Sequence, residues 1–127
     1  MNQYFIDLTN KLLVNDPETI EFSIKFIEAD SKQAGYGRVR ALMCRRLKHC
    51  TLSQAQRDRL VKHILERLKS GNFAQQFKDE LRLALFLNKK RSFEAALSSS
   101  KDCRDHVRRY AQWILEKHTF DTEPDGK

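Results

Sequence analysis

Apolar residues recur at helical spacing along almost the whole chain, and no segment shows the alternation that is typical of a half-buried strand. Near the start, for example, Phe5, Leu8 and Leu12 fall on one side of a helix. Only 4 Gly and 2 Pro among 127 residues interrupt this periodicity. The sequence therefore predicts an all-α protein of about seven helices, arranged as stacked antiparallel pairs or as an irregular helical bundle.

The composition excludes several classes of protein. Hydrophobic residues make up 40% of the chain and charged residues 32%, which is less polar than a disordered protein. No stretch approaches the ~20 apolar residues that span a bilayer, and no signal peptide is recognisable after Met1. Three cysteines in such a chain indicate reduced thiols and a cytoplasmic location. We expect one helical domain over residues 1–118 and a flexible polar tail over residues 119–127.

Capping signals divide the predicted helices from one another. The predicted starts are Asp16-Pro17-Glu18, the capping box of Ser53 with Gln56, and Ser99 with Asp102, and the predicted stops are Gly35-Tyr36-Gly37 and Ser70-Gly71. A short helix is expected over about residues 92–98, and the last helix is expected to end near His118. In a helix, the apolar side chains of residues 81–87 would occupy nearly the whole circumference, which predicts that this helix lies at the centre of the fold.

A short pattern recurs in three of the predicted helices. An aliphatic residue followed by Arg occurs at Val39-Arg40, Leu81-Arg82 and Val107-Arg108, and apolar residues follow each pair at helical spacing. Asp79 and Asp105 stand two positions before the second and third pairs. Each of these helices is preceded by another amphipathic helix, which indicates helix pairs at 17–49, 53–88 and 92–118.

This pattern resembles the second helix of the HEAT repeat, most closely in residues 105–111 and loosely over about residues 17–118. The resemblance implies a short α-solenoid whose stacked pairs bury a continuous core. It also implies that the motif residues join neighbouring repeats instead of binding a ligand. These residues are Arg40, Arg82, Arg108, Asp79 and Asp105.

The net charge of +7 is distributed unevenly along the chain. Residues 1–34 carry −3, residues 35–118 carry +12 and residues 119–127 carry −2. One interpretation is that Lys and Arg simply favour helix formation and solubility. The other is that the cations form a binding surface. The candidate binding residues are Arg38, Arg45, Arg46, Lys48, Lys89, Lys90, Arg91 and Arg109.

Two classes of partner suit such a surface. An acidic protein surface or peptide would be complementary in charge to a row of basic second helices, and this is our leading hypothesis. The alternative is sequence-nonspecific binding of nucleic acid, which needs only cations placed to contact phosphates. Tyr36 and Trp113 are candidates for stacking on a base, but packing in the core or at an interface explains both.

No pattern points to catalysis, to a cofactor or to a metal site. The chain has no glycine-rich phosphate loop, nucleophile elbow or His-Glu-x-x-His helix. Cys44, His49 and Cys50 are spaced too poorly to converge on a metal, and Cys103 with His106 forms only a pair. The three cysteines fall on or beside apolar stripes, so we expect buried, inert thiols. The acids Glu66, Glu80 and Glu116 lie among Lys and Arg, as in solvated pairs on a helix surface.

The N-terminal helix is amphipathic and lies in the acidic part of the chain, residues 1–34. It is suited to cover the end of a stack of helix pairs. Alternatively, Tyr4 and Phe5 are exposed and mediate self-association as a homo-oligomer. Binding to a membrane is not expected, because the apolar side of residues 38–48 is too thin.

Overall fold

The computed structural model describes residues 1–73 and 76–122, with side chains described as far as residue 117. Within these ranges the chain forms seven α-helices and one short 3₁₀ helix, without a strand. The α-helices are α1 (Gln3–Asn10), α2 (Pro17–Ala29), α3 (Tyr36–Leu47), α4 (Gln54–Ser70), α5 (Phe77–Leu87), α6 (Lys89–Ser99) and α7 (Asp105–Thr122), and the 3₁₀ helix is Lys11–Val14. The predicted all-α class is confirmed.

Several helix boundaries are made by the capping residues that the sequence indicates. The Asp16 carboxylate accepts a hydrogen bond from the Thr19 backbone N–H at 2.9 Å and so begins α2. Ser53 and Gln56 each accept a hydrogen bond from the other's backbone N–H, at 3.1 and 3.0 Å, and form the predicted capping box of α4. Gly71 then ends α4 with a φ of 75°, in the left-handed region that glycine adopts without strain.

The predicted boundaries around α6 and α7 are wrong. Helix α6 begins at Lys89, three residues before the predicted start, because the Asn88 side chain accepts a hydrogen bond from the Arg91 backbone N–H at 3.0 Å. Ser99 is the last residue of α6 and does not cap α7. The Asp102 carboxylate instead accepts the backbone N–H of Arg104, a local turn that delays the start of α7. Helix α7 runs to Thr122, into the predicted tail, of which residues 123–127 lie outside the described residues.

The helices pack in two layers. Helices α2, α4 and α6 contact one another in that order and form the first-helix layer. Helices α3, α5 and α7 do the same and form the second-helix layer. Each first helix also contacts the second helix that follows it in the chain, which gives three packed pairs in the predicted order. Helix α1 contacts α3 and therefore covers the N-terminal end of the second-helix layer.

Helix α5 lies at the centre of the fold, as the apolar run at residues 81–87 predicts. It contacts α3, α4, α6 and α7, so it is covered on most of its circumference. Leu81, Leu83 and Ala84 are each 0% exposed. Phe86 departs from the prediction, since it is 56% exposed on the outer side of the second-helix layer.

The aromatic residues of the N-terminal helix have different environments. Phe5 is buried against Phe26 and Tyr36, with ring centroids 5.5 and 5.4 Å apart. Tyr4 is 60% exposed. The expectation that both residues are exposed is therefore wrong for Phe5, because its ring helps to close the core between α1, α2 and α3. Self-association through Tyr4 stays a prediction.

Hydrogen bonds join the start of α7 to the end of α4. The Arg104 guanidinium donates to the carbonyl oxygens of Ser70 and Lys69, at 2.5 and 2.8 Å. The ring Nε2 of His106 lies 2.9 Å from the carbonyl oxygen of Gly71. These contacts satisfy carbonyls that the end of a helix leaves without a partner inside the helix. They connect the second and third helix pairs.

Replacing Gly71 with alanine tests this connection. The added Cβ would lie 2.6 Å from Arg104 Nη1, at a backbone φ of +75°. We expect a loss of about 2 kcal/mol in the free energy of unfolding, from left-handed strain and displacement of Arg104. Gly35→Ala is the matched control, because Gly35 has a φ of +85° but nothing within 4 Å of the added Cβ. Urea unfolding of both variants measures the difference, and equal losses would show that Arg104 contributes nothing.

Candidate functional site

Helix α5 exposes a single stripe on the outer side of the second-helix layer. Lys78, Arg82 and Phe86 are spaced four residues apart, and all three are exposed. Residues at this spacing lie on one side of a helix, about 6 Å apart along its axis. The stripe therefore presents two cations and one apolar ring along the length of α5.

A carboxylate joins this stripe to α3. Asp79 accepts hydrogen bonds from Arg45 Nη1 at 2.9 Å and from Arg82 Nη1 at 3.2 Å. The Asp79 side chain is 18% exposed, whereas the side chains of Arg45 and Arg82 are 54% and 45% exposed. Asp79 thus holds two guanidinium groups side by side while both still face solvent.

A tryptophan joins the stripe to α7. The half-buried ring of Trp113 has Arg82, Lys78 and Lys117 over it, with the charged groups 5.5, 5.6 and 5.8 Å from the ring centroid. Cations at this distance are attracted to the ring. Arg109, Trp113 and Lys117 are themselves spaced four residues apart, so they form a second stripe parallel to that of α5.

These stripes form one continuous surface, which we call the basic second-helix face. It comprises the cations Arg45, Lys48, Lys78, Arg82, Arg109 and Lys117 together with Asp79, Phe86 and Trp113. Lys48 belongs to it because its ammonium group lies 5.7 Å from the centroid of the Phe86 ring. Six cations against one partly covered carboxylate give the face a strongly positive potential, which attracts anionic partners.

A groove opens beside this face between α5 and α7. It has a volume of about 850 Å³ and is bordered by aromatic, basic and polar side chains. The lining residues are Phe73, Lys78, His106, Arg109, Tyr110, Gln112, Trp113 and Glu116. The groove therefore combines aromatic lining residues with charged residues, of which Lys78 and Arg109 also belong to the basic second-helix face.

The structure brings together only some of the predicted binding residues. Arg45, Lys48 and Arg109 lie on the basic second-helix face. Arg38 is exposed seven residues before Arg45, hence on the same side of α3. Arg46 instead donates to the Asn10 side chain at 3.1 Å and so ties α3 to the end of α1.

The predicted basic run of Lys89, Lys90 and Arg91 lies elsewhere. These exposed residues form the first turn of α6, which belongs to the first-helix layer. Three cations of the face, Lys78, Arg82 and Lys117, are missing from the predicted set. The spacing of four from Lys78 to Arg82 to Phe86 is a sequence signal for the first two, once the rest of α5 is known to be buried. Lys117 has the same spacing from Trp113 and Arg109 on α7.

A second charged cluster is buried between the two layers. Glu80 is only 4% exposed, so its assignment to a solvated helix-surface pair is wrong. Its Oε1 accepts a hydrogen bond from Arg67 Nη1 at 2.5 Å, and its Oε2 lies 3.9 Å from Arg40 Nε. Arg67 Nη2 also lies 3.3 Å from Asp30 Oδ1. The two arginines and two acids balance in charge, which indicates a structural role rather than a ligand site.

Both arginines of this cluster also donate hydrogen bonds to backbone carbonyls. Arg40 Nη1 donates to the carbonyl oxygen of Ser31 at 2.7 Å, and Arg67 Nε donates to that of Asn72 at 3.2 Å. Both carbonyls belong to the segments that follow α2 and α4. The cluster therefore fixes the chain connections at one end of the helix pairs.

The thiols show different environments and do not form a metal site. Burial, and to a smaller extent the Glu80 carboxylate, raises the pKa of the Cys44 thiol well above its usual range. Cys50 is half-buried, and burial raises its pKa as well. Cys103 is exposed, contrary to the expectation that its side chain points inward. Among residues 1–73 and 76–122, no group of three or more His, Cys, Asp and Glu side chains is placed to hold a metal ion.

His63 on α4 makes stability depend on pH. Burial lowers its pKa below the ordinary value of 6.5, although Glu80 acts in the opposite direction. The unfolded chain therefore takes up this proton more readily than the folded chain, and stability falls as the pH decreases through about 6.5. We expect His63→Gln to lose less stability than the wild type between about pH 7.5 and about pH 5.5. Urea unfolding at the two pH values measures both losses, and an equal loss of stability in the variant and the wild type would contradict this prediction.

Within the part of the chain that the structure describes, no helix is long and apolar enough to cross a membrane. No protein-family model matches the chain, and no curated protein or solved structure is significantly similar to it. The resemblance to the HEAT repeat therefore stays a prediction.

Proposed function

We propose that this protein is a non-catalytic interaction module that binds an acidic protein segment through the basic second-helix face. The observation that carries the proposal is the unbroken chain of contacts from Arg45 through Asp79 and Arg82 to Trp113. These contacts hold flexible cationic side chains in place before a partner arrives. Less conformational entropy is then lost on binding, which raises the affinity for a complementary anionic surface.

The composition of the face favours a protein partner over a nucleic acid. Phe86, 56% exposed beside Lys48, offers an apolar contact that a protein segment can satisfy and a phosphate backbone cannot. A protein segment also supplies hydrogen-bond donors that phosphate groups lack, and the carboxylates of Asp79 and of the exposed Glu116 at the border of the groove can accept them. Nonspecific nucleic-acid binding by the same cations is the alternative that the experiment must distinguish.

Charge reversal on α5 tests the proposal. In the double variant Lys78→Glu with Arg82→Glu, we expect affinity for a labelled peptide of Asp and Glu to fall about 100-fold, or roughly tenfold for each reversed cation. Both side chains are exposed, so the fold should persist. Fluorescence anisotropy across a salt series measures the affinity, and circular dichroism confirms the helix content.

The matched control reverses Lys62 and Lys101, two exposed cations outside the basic second-helix face, and makes the same change in net charge. It should bind the peptide nearly as the wild type does. An equal loss of peptide affinity in both double variants would show that binding depends on net charge alone and not on the basic second-helix face. Tighter binding of random RNA or duplex DNA than of the peptide, weakening steeply with salt, would replace the proposal by the nucleic-acid alternative.

A further inference from the structure

The groove between α5 and α7 is a concave surface, which charge attraction alone does not need. Its volume of about 850 Å³ lies within the range of ~300–1,000 Å³ typical of pockets that enclose a small ligand or a few side chains. A purely electrostatic contact would need only an exposed basic surface. The groove therefore indicates a more specific contact at one end of the basic second-helix face.

Two residues that line the groove, Phe73 and Tyr110, belong to a packed aromatic cluster. The Phe73 ring stacks on the buried Phe77 ring, with centroids 4.3 Å apart and planes inclined by 12°. Tyr110 lies edge-on to both rings, at 5.1 and 5.8 Å. Mutual packing fixes these rings, and aromatic rings of this kind favour a further ring placed edge-to-face or offset.

The groove is also lined by exposed charged and polar side chains. Lys78 and Arg109 are exposed at the groove, and Gln112 adds an amide that both donates and accepts hydrogen bonds. Lys78 also lies over the Trp113 ring, so the groove and the basic second-helix face share this residue. An occupant of the groove thus meets half-buried aromatic rings and exposed cations.

We propose that the groove holds an aromatic side chain of the acidic segment, while Lys78 and Arg109 bind carboxylates next to it in the partner's sequence. This inference rests on the proposed function and makes it more specific. Burial of the ring removes apolar surface from water, so the aromatic residue selects the segment and the charges orient it.

A stacked nucleobase fits the groove less well. Base stacking needs an open aromatic surface, but Phe73 is already stacked on Phe77, and three cations lie over the Trp113 ring. A protein side chain that enters edge-on avoids this conflict.

Trp113 is the single tryptophan of the chain and therefore reports on this groove directly. The experiment titrates the full chain with two short peptides of Asp and Glu, one with a central Phe and one with Ala at that position. We expect the Phe peptide to bind at least about tenfold more tightly and to shift the Trp113 emission. The Ala peptide should bind more weakly, with little change in emission.

A groove-filling variant supplies the second arm. Gln112 is exposed and borders the groove, so Gln112→Phe should leave the fold intact while it occupies the space. We expect this variant to bind the two peptides with equal affinity, at the level of the Ala peptide on the wild type. Gln54→Phe, at an exposed position on α4, is the matched control and should keep the preference for Phe.

Each outcome decides a different point. Equal affinities of the wild type for both peptides, lost on charge reversal at Lys78 and Arg82, would overturn the groove inference and leave the proposed function standing. Failure of both peptides to bind would overturn the proposed function as well. Tighter binding of a single-stranded RNA that quenches Trp113 would make the groove a nucleotide site instead.

Discussion

Replacing Glu80 with alanine is expected to lower the free energy of unfolding by about 3–5 kcal/mol. The substitution leaves Arg67 and Arg40, whose side chains are 6% and 5% exposed, without the acid that lies between them. Asp30 is a partial replacement, since it lies 3.3 Å from Arg67 Nη2, but nothing in the variant offsets the second charge. A domain of this size is typically stable by about 5–15 kcal/mol, so the change removes a large part of the total.

Glu80→Gln is the matched control for this prediction. The amide oxygen keeps an acceptor for Arg67 Nη1 while the negative charge is removed, so we expect a smaller loss than for alanine, of about 1–3 kcal/mol. Urea unfolding followed by circular dichroism measures both variants. A loss below about 1 kcal/mol for Glu80→Ala would show that water reaches the arginines and that the cluster is not buried in solution.

The second large effect is expected for Leu81→Ala, at about 3–5 kcal/mol. Leu81 is 0% exposed on the inner side of α5, which contacts α3, α4, α6 and α7. Neighbouring helices hold the walls of the resulting cavity, so it cannot collapse fully, and the cavity adds to the lost transfer free energy. The midpoint of urea unfolding measures the loss.

Phe86→Ala on the same helix is the control, because Phe86 is 56% exposed. We expect its stability to change by no more than about 0.5 kcal/mol. A similar loss of stability in the two variants would mean that Leu81 is no more buried in solution than Phe86. The pair thus separates burial from helix propensity, since both changes introduce alanine into α5.

Most of the helices follow from local chemistry that the sequence displays. The Ser53–Gln56 capping box and Gly71 act within a few residues of themselves, so their positions alone indicate where α4 begins and ends. The prediction fails where a capping side chain is engaged elsewhere. Asp102 hydrogen bonds to Arg104 in a turn, and α7 therefore begins at Asp105 instead of near Ser99.

The candidate site was predicted less completely. Positive charge on the second helices is visible in the sequence, and Arg45, Lys48 and Arg109 lie on the basic second-helix face. The dense run at Lys89–Arg91 also predicts a binding surface, yet it belongs to the other layer. Lys78, Arg82 and Lys117 do not stand out in the sequence by charge density, and it is their common neighbour Trp113 that groups them.

The sequence by itself determined the all-α class, the order of the helix pairs and the central place of α5, because helical periodicity and capping depend on residues close together in the chain. Only the tertiary structure decided which charged side chains are buried and which of them form ion pairs between helices. Glu80 meets Arg67 and Arg40 from positions 13 and 40 residues away, and Asp79 meets Arg45 from 34 residues away. Such pairings depend on how helices pack, and side-chain spacing along one helix carries no information about them.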